Sequence, residues 1–570
     1  KYIRPYIQYY ILGPCFMMME VVGDVLLPYM LAKIINQGIA ERNVVYIIKI
    51  GAIMGFIAVI MAVCGVLGAW FASKAAMNFG ADLRMDLFEK IQQFSFQNID
   101  NFSTGSLITR LTNDITQIQN MIMMTLRMCL RSPGILIGAM VMAFVISPKL
   151  AAIFIIVLPV LAVLIVVIMR RAFPQFRTLQ EKLDALNSCI QEGLVGIRLI
   201  KSFVRGDYEE MRFEKRNQQL KEANLTAMKN MLLYTPLMTL ALNITTVVVV
   251  WSGGNMIVAG NMQVGDLTAF TNYIVQIMSS LTMLSIAFLN WARAIASFRR
   301  VGEVLDEKID LTDENAKHKD RAVCEGSVEF QNVSFRYYKN SPEWVIENIS
   351  FKLEAGKTLG IIGSTGSGKS TLVSMIPRLY DTDEGTVLVD GINVRDYGLK
   401  PLREGIGMVL QNNTLFSGSI IENLKWGDEH ADEKAVRKAA QNAQAAGFID
   451  SFKDGYRTRL EQSGNNVSGG QKQRLCIARA LLKCPKILIL DDSTSAVDTA
   501  TERAIREALH SEYKDMTKII IAQRIRSVMD ADEILVLDNG KTAGFGTHEQ
   551  LLADCPVYRE IYDVQNGREE

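Results

Sequence analysis

Apolar residues are unevenly spread along the chain: long runs carrying few charges fill roughly the first 300 residues, and mixed sequence with short apolar runs follows. A helix needs about 20 apolar residues to cross a hydrocarbon core. Stretches 9–35, 44–71, 121–146, 150–169, 231–258 and 267–292 reach that length, so the pattern predicts six spans. Arg127 and Arg131 interrupt the start of the third. Between spans, 74–110 and 170–229 keep a helical spacing, as in Ala81-Asp82-Leu83-Arg84-Met85-Asp86-Leu87-Phe88. They are far longer than ordinary helix connections, which predicts that the membrane helices continue beyond the bilayer.

Lys and Arg are sparse in 37–43, 147–149 and 259–266 and frequent in 74–110, 170–229 and 293–300. Basic connections stay on the cytoplasmic side, which places both ends of the chain there. Each long hairpin breaks once, near 98–105 and near 202–208; a short transverse helix that docks on the soluble half and a plain turn both fit. Glu20 and Asp24 stand one turn apart in the first span, where carboxylates are costly unless they face the bundle or a wet cavity. Either they meet a cationic substrate, or they pair with a polar residue such as Asn243 or Asn290.

Past the charged stretch 303–326 the period changes from helical to alternating. Ser327 to Tyr337 alternates like a strand, and Ile349-Ser350-Phe351-Lys352-Leu353 leads into a second. The apolar run Leu359-Gly360-Ile361-Ile362 then meets Gly363-Ser364-Thr365-Gly366-Ser367-Gly368-Lys369-Ser370-Thr371 and a further apolar run. Strand, glycine-rich loop and helix in that order define a P-loop. Its small residues let backbone N–H groups close around phosphate, Lys369 reaches the terminal phosphates and the Ser370 hydroxyl ligates Mg²⁺. Ile487-Leu488-Ile489-Leu490-Asp491-Asp492 is a buried-strand run ending on two carboxylates, where such enzymes place an aspartate near Mg²⁺. Gln411 ends another strand, within reach of Mg²⁺ or an attacking water. Val467-Ser468-Gly469-Gly470-Gln471 opens a helix with Ser468 as N-cap, a second anion cradle with no P-loop of its own. A site on another chain would supply one.

Composition adds exclusions. The net charge of +1 gives no footprint for nucleic acid. Eight cysteines lie far apart without a C-x-x-C pair, so neither zinc nor a disulfide framework is signalled. The first apolar run is too long for a cleaved secretory leader.

Together the P-loop, Gln411, the Ser468-Gly469-Gly470-Gln471 helix start, Asp491, the run Ser495-Ala496-Val497-Asp498 and six preceding spans resemble a half-transporter of the ATP-binding cassette (ABC) exporter family. The resemblance covers nearly the whole chain. It implies an all-α polytopic membrane domain of six helices (1–302), a linker (303–326) and an α/β P-loop nucleotide-binding domain (327–570). It also implies that Tyr337 stacks on adenine, that Val467 to Gln471 completes the ATP site of a second half-transporter, and that ATP, Mg²⁺, membrane lipid and an amphipathic substrate are the ligands.

Two positions depart from the family. Where it has a glutamate after the Mg²⁺ aspartate, this chain has Asp492, and where it has a histidine near the γ-phosphate, this chain has Gln523. Shortening a base by one methylene withdraws it by about 1 Å, a misplacement that can cost about 10²-fold in rate. A glutamine donates a hydrogen bond but cannot become cationic. The expectation is a site that binds ATP and turns it over poorly, in a heterodimer resembling bacterial multidrug exporters. Competing readings are a nucleotide-sensing regulator of a gated channel and a homodimeric lipid or peptide exporter.

Overall fold

In the computed structural model the chain divides into two compact units, Lys1–Gln92 with Gly105–Asp306, and Gln93–Thr104 with Glu307–Glu570. The structure describes residues 1–339, 341–493 and 497–565, with backbone alone at several positions of the long helices between 165 and 293.

The first unit is helical: α1 (Ile7–Lys33), α2 (Val44–Gln92), α3 (Ile115–Met128), α4 (Arg131–Ile146), α5 (Pro148–Val195), α6 (Gly206–Leu232), α7 (Tyr234–Val258) and α8 (Val264–Leu305). Helices of 49, 48 and 42 residues for α2, α5 and α8 exceed any bilayer, as the helical spacing of the basic connections predicts. Among the described residues, four helical stretches are long and apolar enough to cross a membrane: Arg4–Ile39, Val44–Gln92, Thr104–Ile146 and Pro236–Val258. The predicted fourth and sixth spans lie on α5 and α8, parts of which carry no described side chains.

Pro28 sits inside α1 and has no N–H for the carbonyl four residues earlier, that of Asp24. Gln276 on α8 fills the gap, donating Nε2 to that oxygen at 2.8 Å, and the wholly buried Tyr273 donates to the Val25 carbonyl at 2.7 Å. The third predicted span breaks at Cys129 and Leu130, because Pro133 at the start of α4 cannot bond back to Cys129. Arg131, at that break, donates to Glu20 at 2.9 Å and to Asp24 at 3.2 Å. Arg131 is thus the partner of the two carboxylates, and Asn243 makes no hydrogen bond to them; the Asn290 side chain lies outside the described residues. Replacing Arg131 by leucine strands two carboxylates at membrane depth. The expected cost is about 3 kcal/mol, read as a lower unfolding temperature of the purified transporter.

Among the described residues the second unit carries two large sheets and a two-stranded pair, Gly418–Ser419 with Arg459–Leu460. The strands β1 (Val328–Phe335), β2 (Ile346–Leu353) and β4 (Glu384–Val389) form an antiparallel sheet in the order β2-β1-β4, extended by Ile392–Asn393. The larger sheet holds β3 (Thr358–Gly363), β5 (Ile406–Val409), β6 (Ile487–Asp491), β7 (Thr517–Ile521), β8 (Glu533–Asp538) and β9 (Lys541–Gly546), in the order β9-β8-β3-β7-β6-β5. Only β9 runs antiparallel. Parallel strands are buried on both faces and need unbroken apolar runs. That is why Ile487 to Leu490, Ile519 and Ile361 are all buried.

Residues 93–104 fold with this unit. Ser95 caps a short helix, Phe96–Asp100, in a reciprocal box with Asn98. Ser95 Oγ donates to Asp310 at 2.9 Å, Asn98 Nδ2 to the Lys308 carbonyl at 2.9 Å, and the Tyr380 hydroxyl to Asp100 at 2.9 Å. The charged stretch read as a linker therefore has a seat of its own beside this helix. The break near 202–208 differs. The helix Ile197–Ser202 ends at an apolar tip whose Phe203 and Val204 are 69% and 88% exposed, and Val204 takes a φ of 52°. That conformation is rare for a β-branched residue.

Candidate functional site

The P-loop joins β3 to the helix α9 (Lys369–Ser374). Gly363, Gly366 and Gly368 take φ values of 155°, 86° and 88°. A Cβ at Gly363 would lie 2.1 Å from the Leu537 carbonyl oxygen, and one at Gly368 would lie 2.6 Å from Ile346. The tight loop is thus closed to larger residues. Lys369 folds back across it, its ammonium 2.8 Å from the Gly363 carbonyl, 2.7 Å from that of Ser364 and 3.4 Å from Ser367 Oγ. Burial pulls its pKa down from the ordinary lysine value. Thr365 lies in the same exposed part of the loop.

Ser370 Oγ donates to Asp491 Oδ1 at 2.9 Å. A hydroxyl and a carboxylate held in contact beside a lysine are the hard oxygen donors Mg²⁺ takes with phosphate, so the residues fit the ion. Gln411, just past β5, also faces this corner: with Gln523 it hydrogen-bonds Asp492. Burial comes first in raising the pKa of both Asp491 and Asp492 above the usual carboxylate range, and for Asp491 its neighbour's charge adds to the rise.

Asp492 sits at a φ of 47° and its N–H donates to the Ile521 carbonyl at 3.1 Å. Gln523 Nε2 donates to Asp492 Oδ2 at 2.7 Å. The two positions that depart from the family therefore engage each other. On its backbone side Gln523 is gripped by Gln565 of the helix α12 (Pro556–Gln565), which donates to the Gln523 carbonyl at 2.8 Å and accepts from the Ile525 N–H at 2.8 Å. Gln565→Ala removes both bonds and is expected to change ATP turnover of the assembled transporter by about threefold without altering expression. The phosphate-release rate checks it.

Tyr337 stands at the other edge of the loop, 37% exposed, its hydroxyl 2.8 Å from Thr371 Oγ1. Tyr380 packs edge-on against Tyr337 at 5.3 Å between centroids and tilts over Phe96 at 6.0 Å. One aromatic thus touches both the candidate adenine platform and the short helix of 93–104.

Ser468 caps its helix as the sequence predicts. In the helix α10 (Gly469–Leu482), Ser468 accepts from the Gln471 N–H at 3.3 Å and the Gln471 side chain accepts from the Ser468 N–H at 2.9 Å. Ser468 and Gly469 are exposed, Val467 and Gly470 half-buried, so the helix N-terminus faces outward. Asp498 caps the helix α11 (Thr499–Glu512) through the Thr501 N–H at 3.0 Å, with Val497 buried beside it. Ser495 and Ala496 lie outside the described residues. Sequence reasoning missed Arg131, Tyr380 and Gln565 as partners. Arg131 was visible as a charge inside a span, whereas nothing local marks the other two.

Residues 10–281 match the family described as ABC transporter transmembrane region, and residues 346–495 the family described as ABC transporter. The chain is 39% identical to "Uncharacterized ABC transporter ATP-binding protein YfiB" of Bacillus subtilis (strain 168), covering 100% of this chain and 98% of that one. It is 35% identical to "Putative multidrug export ATP-binding/permease protein YgaD" of the same organism, over 87% and 85%. Among solved structures, one titled "Structure of a bacterial Atm1-family ABC exporter with ATP bound" superposes with a TM-score of 0.82 over 99% and 98% of the two chains, at 24% identity. At that identity the likeness is one of fold.

Proposed function

This chain belongs to the ABC transporter family, with a transmembrane domain joined to a cytoplasmic nucleotide-binding domain, and from that premise we propose that it is the weakly hydrolytic half of a heterodimeric exporter. ATP is held by Tyr337, the loop from Gly363 to Thr371, and Gln411. Mg²⁺, when bound by Ser370, Asp491 and Gln411, would offset the phosphate charge. Ser468, Gly469 and Gly470 point backbone N–H groups at the nucleotide of the second half-transporter.

The observation that carries this reading is the 2.7 Å hydrogen bond from Gln523 to Asp492. A general base must offer its lone pair to water. Here the shortened carboxylate spends one oxygen on a neutral amide, which in turn brings no positive charge to the phosphate. ATP at this site then acts through occupancy, favouring the closed pair of domains, and the second site supplies the turnover.

Six spans on each half form the pathway. The contact of Tyr380 with Phe96 and Asp100 passes closure from the adenine side to the first hairpin, and the exposed apolar tip at Phe203 and Val204 suits a seat on the second half-transporter. Amphipathic drugs or lipids are the proposed cargo, in line with the multidrug name of one relative and the Met-rich spans. The chain purified alone is expected to bind ATP with Mg²⁺ and to hydrolyse it at least about 10²-fold more slowly than the assembled pair. Full-rate hydrolysis by the chain alone would instead establish a working homodimer.

A further inference from the structure

A cleft of about 1380 Å³ lies in the nucleotide-binding unit, outside the residues described above as the ATP site. Its floor is the face of the large sheet at Thr358, Lys518 and Ile520, one wall is α11, and the other is the turn Ile525–Ser527 with Tyr562 of α12. Arg503, Arg506, Lys518 and Arg526 line it against two carboxylates, Glu507 and Asp530. Those two are engaged, Glu507 with Arg503 at 3.9 Å and Asp530 with Arg506 at 3.4 Å. Apolar contact area comes from Leu509, Ile520, Ile525 and Met529.

Lys518 is the anomaly. It is 5% exposed, it lines the cleft, and its ammonium has no hydrogen bond or ion pair among the described residues. Only the more distant Asp532 and Asp515 offset it, and the Asp532 carboxylate already accepts from the Thr358 N–H at 2.8 Å. The Arg506 Nε is also buried without a partner. A lysine whose stem is buried and whose ammonium opens only onto a cleft, beside a buried guanidinium N–H with no acceptor, calls for an anion or a bound molecule to explain it.

We propose that this cleft binds a small anionic amphiphile, its carboxylate or phosphate head against Lys518 and Arg506 and its apolar body over Leu509 and Ile520, and that occupancy restrains the loop carrying Gln523. The link to the ATP site is short. Ile525, Arg526 and Ser527 begin two residues after Gln523, and Arg506 donates to the Arg526 carbonyl at 2.7 Å. Tyr562 stands one turn before Gln565, which grips the Gln523 carbonyl. A molecule in the cleft therefore touches three elements that converge on one loop.

The test uses the full transporter, with its partner, in lipid nanodiscs, and octanoate as probe against acetate (head alone) and octanol (chain alone). Hydrogen exchange is expected to slow in 499–510 and 525–531 with octanoate only, and ATP turnover to change by several-fold. Lys518→Met should abolish both effects and unfold at no lower temperature, since the ammonium it removes makes no hydrogen bond or ion pair among the described residues. Arg503→Gln, on the exposed rim, should weaken them. Equal slowing by octanol, slowing that survives in Lys518→Met, or no slowing at all would overturn the site. Slowed exchange with unchanged turnover would overturn its link to Gln523. The exchange readout stands whether or not the degenerate-site reading holds.

Discussion

Gly469→Asp is expected to cut ATP turnover by the assembled transporter by about 10²–10³-fold while leaving this chain's own nucleotide binding intact. Gly469 is the first residue of α10 and is exposed at its N-terminus, immediately after the Ser468–Gln471 box. A carboxylate there meets the partner's phosphates with like charge and covers backbone N–H groups that would otherwise donate to them. Loss of one preorganised donor to developing charge costs about 10²–10³ in rate. Because Ser468 still caps the helix, the substitution spares the fold, and circular dichroism should be unchanged. If this chain carried the main hydrolytic site, the same change would leave much of the turnover in place.

Lys369→Met is expected to weaken ATP binding at this chain's own site by about 10²-fold, corresponding to about 3 kcal/mol of charge-assisted hydrogen bonding. The ammonium already organises the loop through the Gly363 and Ser364 carbonyls and Ser367 Oγ, so its loss removes both a phosphate contact and the loop's internal brace. Equilibrium binding of radiolabelled ATP to the purified chain measures it. On the proposal that the turnover site is on the other half, transport should fall less steeply than binding.

Much of this site was legible in the sequence because its parts are local. The P-loop motif is nine consecutive residues running from the end of a strand into the start of a helix, and the Ser468 box spans four, so spacing alone sets their geometry. The parallel strands were legible for a related reason: burial on both faces demands apolar runs such as Ile487 to Leu490. What the sequence hid are pairings across long separations. Arg131 meets Glu20 and Asp24 through a helix break that Pro133 imposes, and Gln276 answers a carbonyl that Pro28 leaves free. Tyr380 reaches Asp100, and Gln565 reaches Gln523, only once the chain has folded. The packing of 93–104 with the second unit was one of two readings the sequence left open, because its capping signal at Ser95 reads the same as that of any short helix.

The most direct test of the account is a pair of matched substitutions in the assembled transporter, followed by steady-state phosphate release. Asp492→Asn in this chain should leave turnover within about threefold of the parent, whereas the amide substitution at the corresponding position of the partner should lower it by about 10²-fold or more, as removal of a working general base does. Equal loss from both substitutions would contradict it.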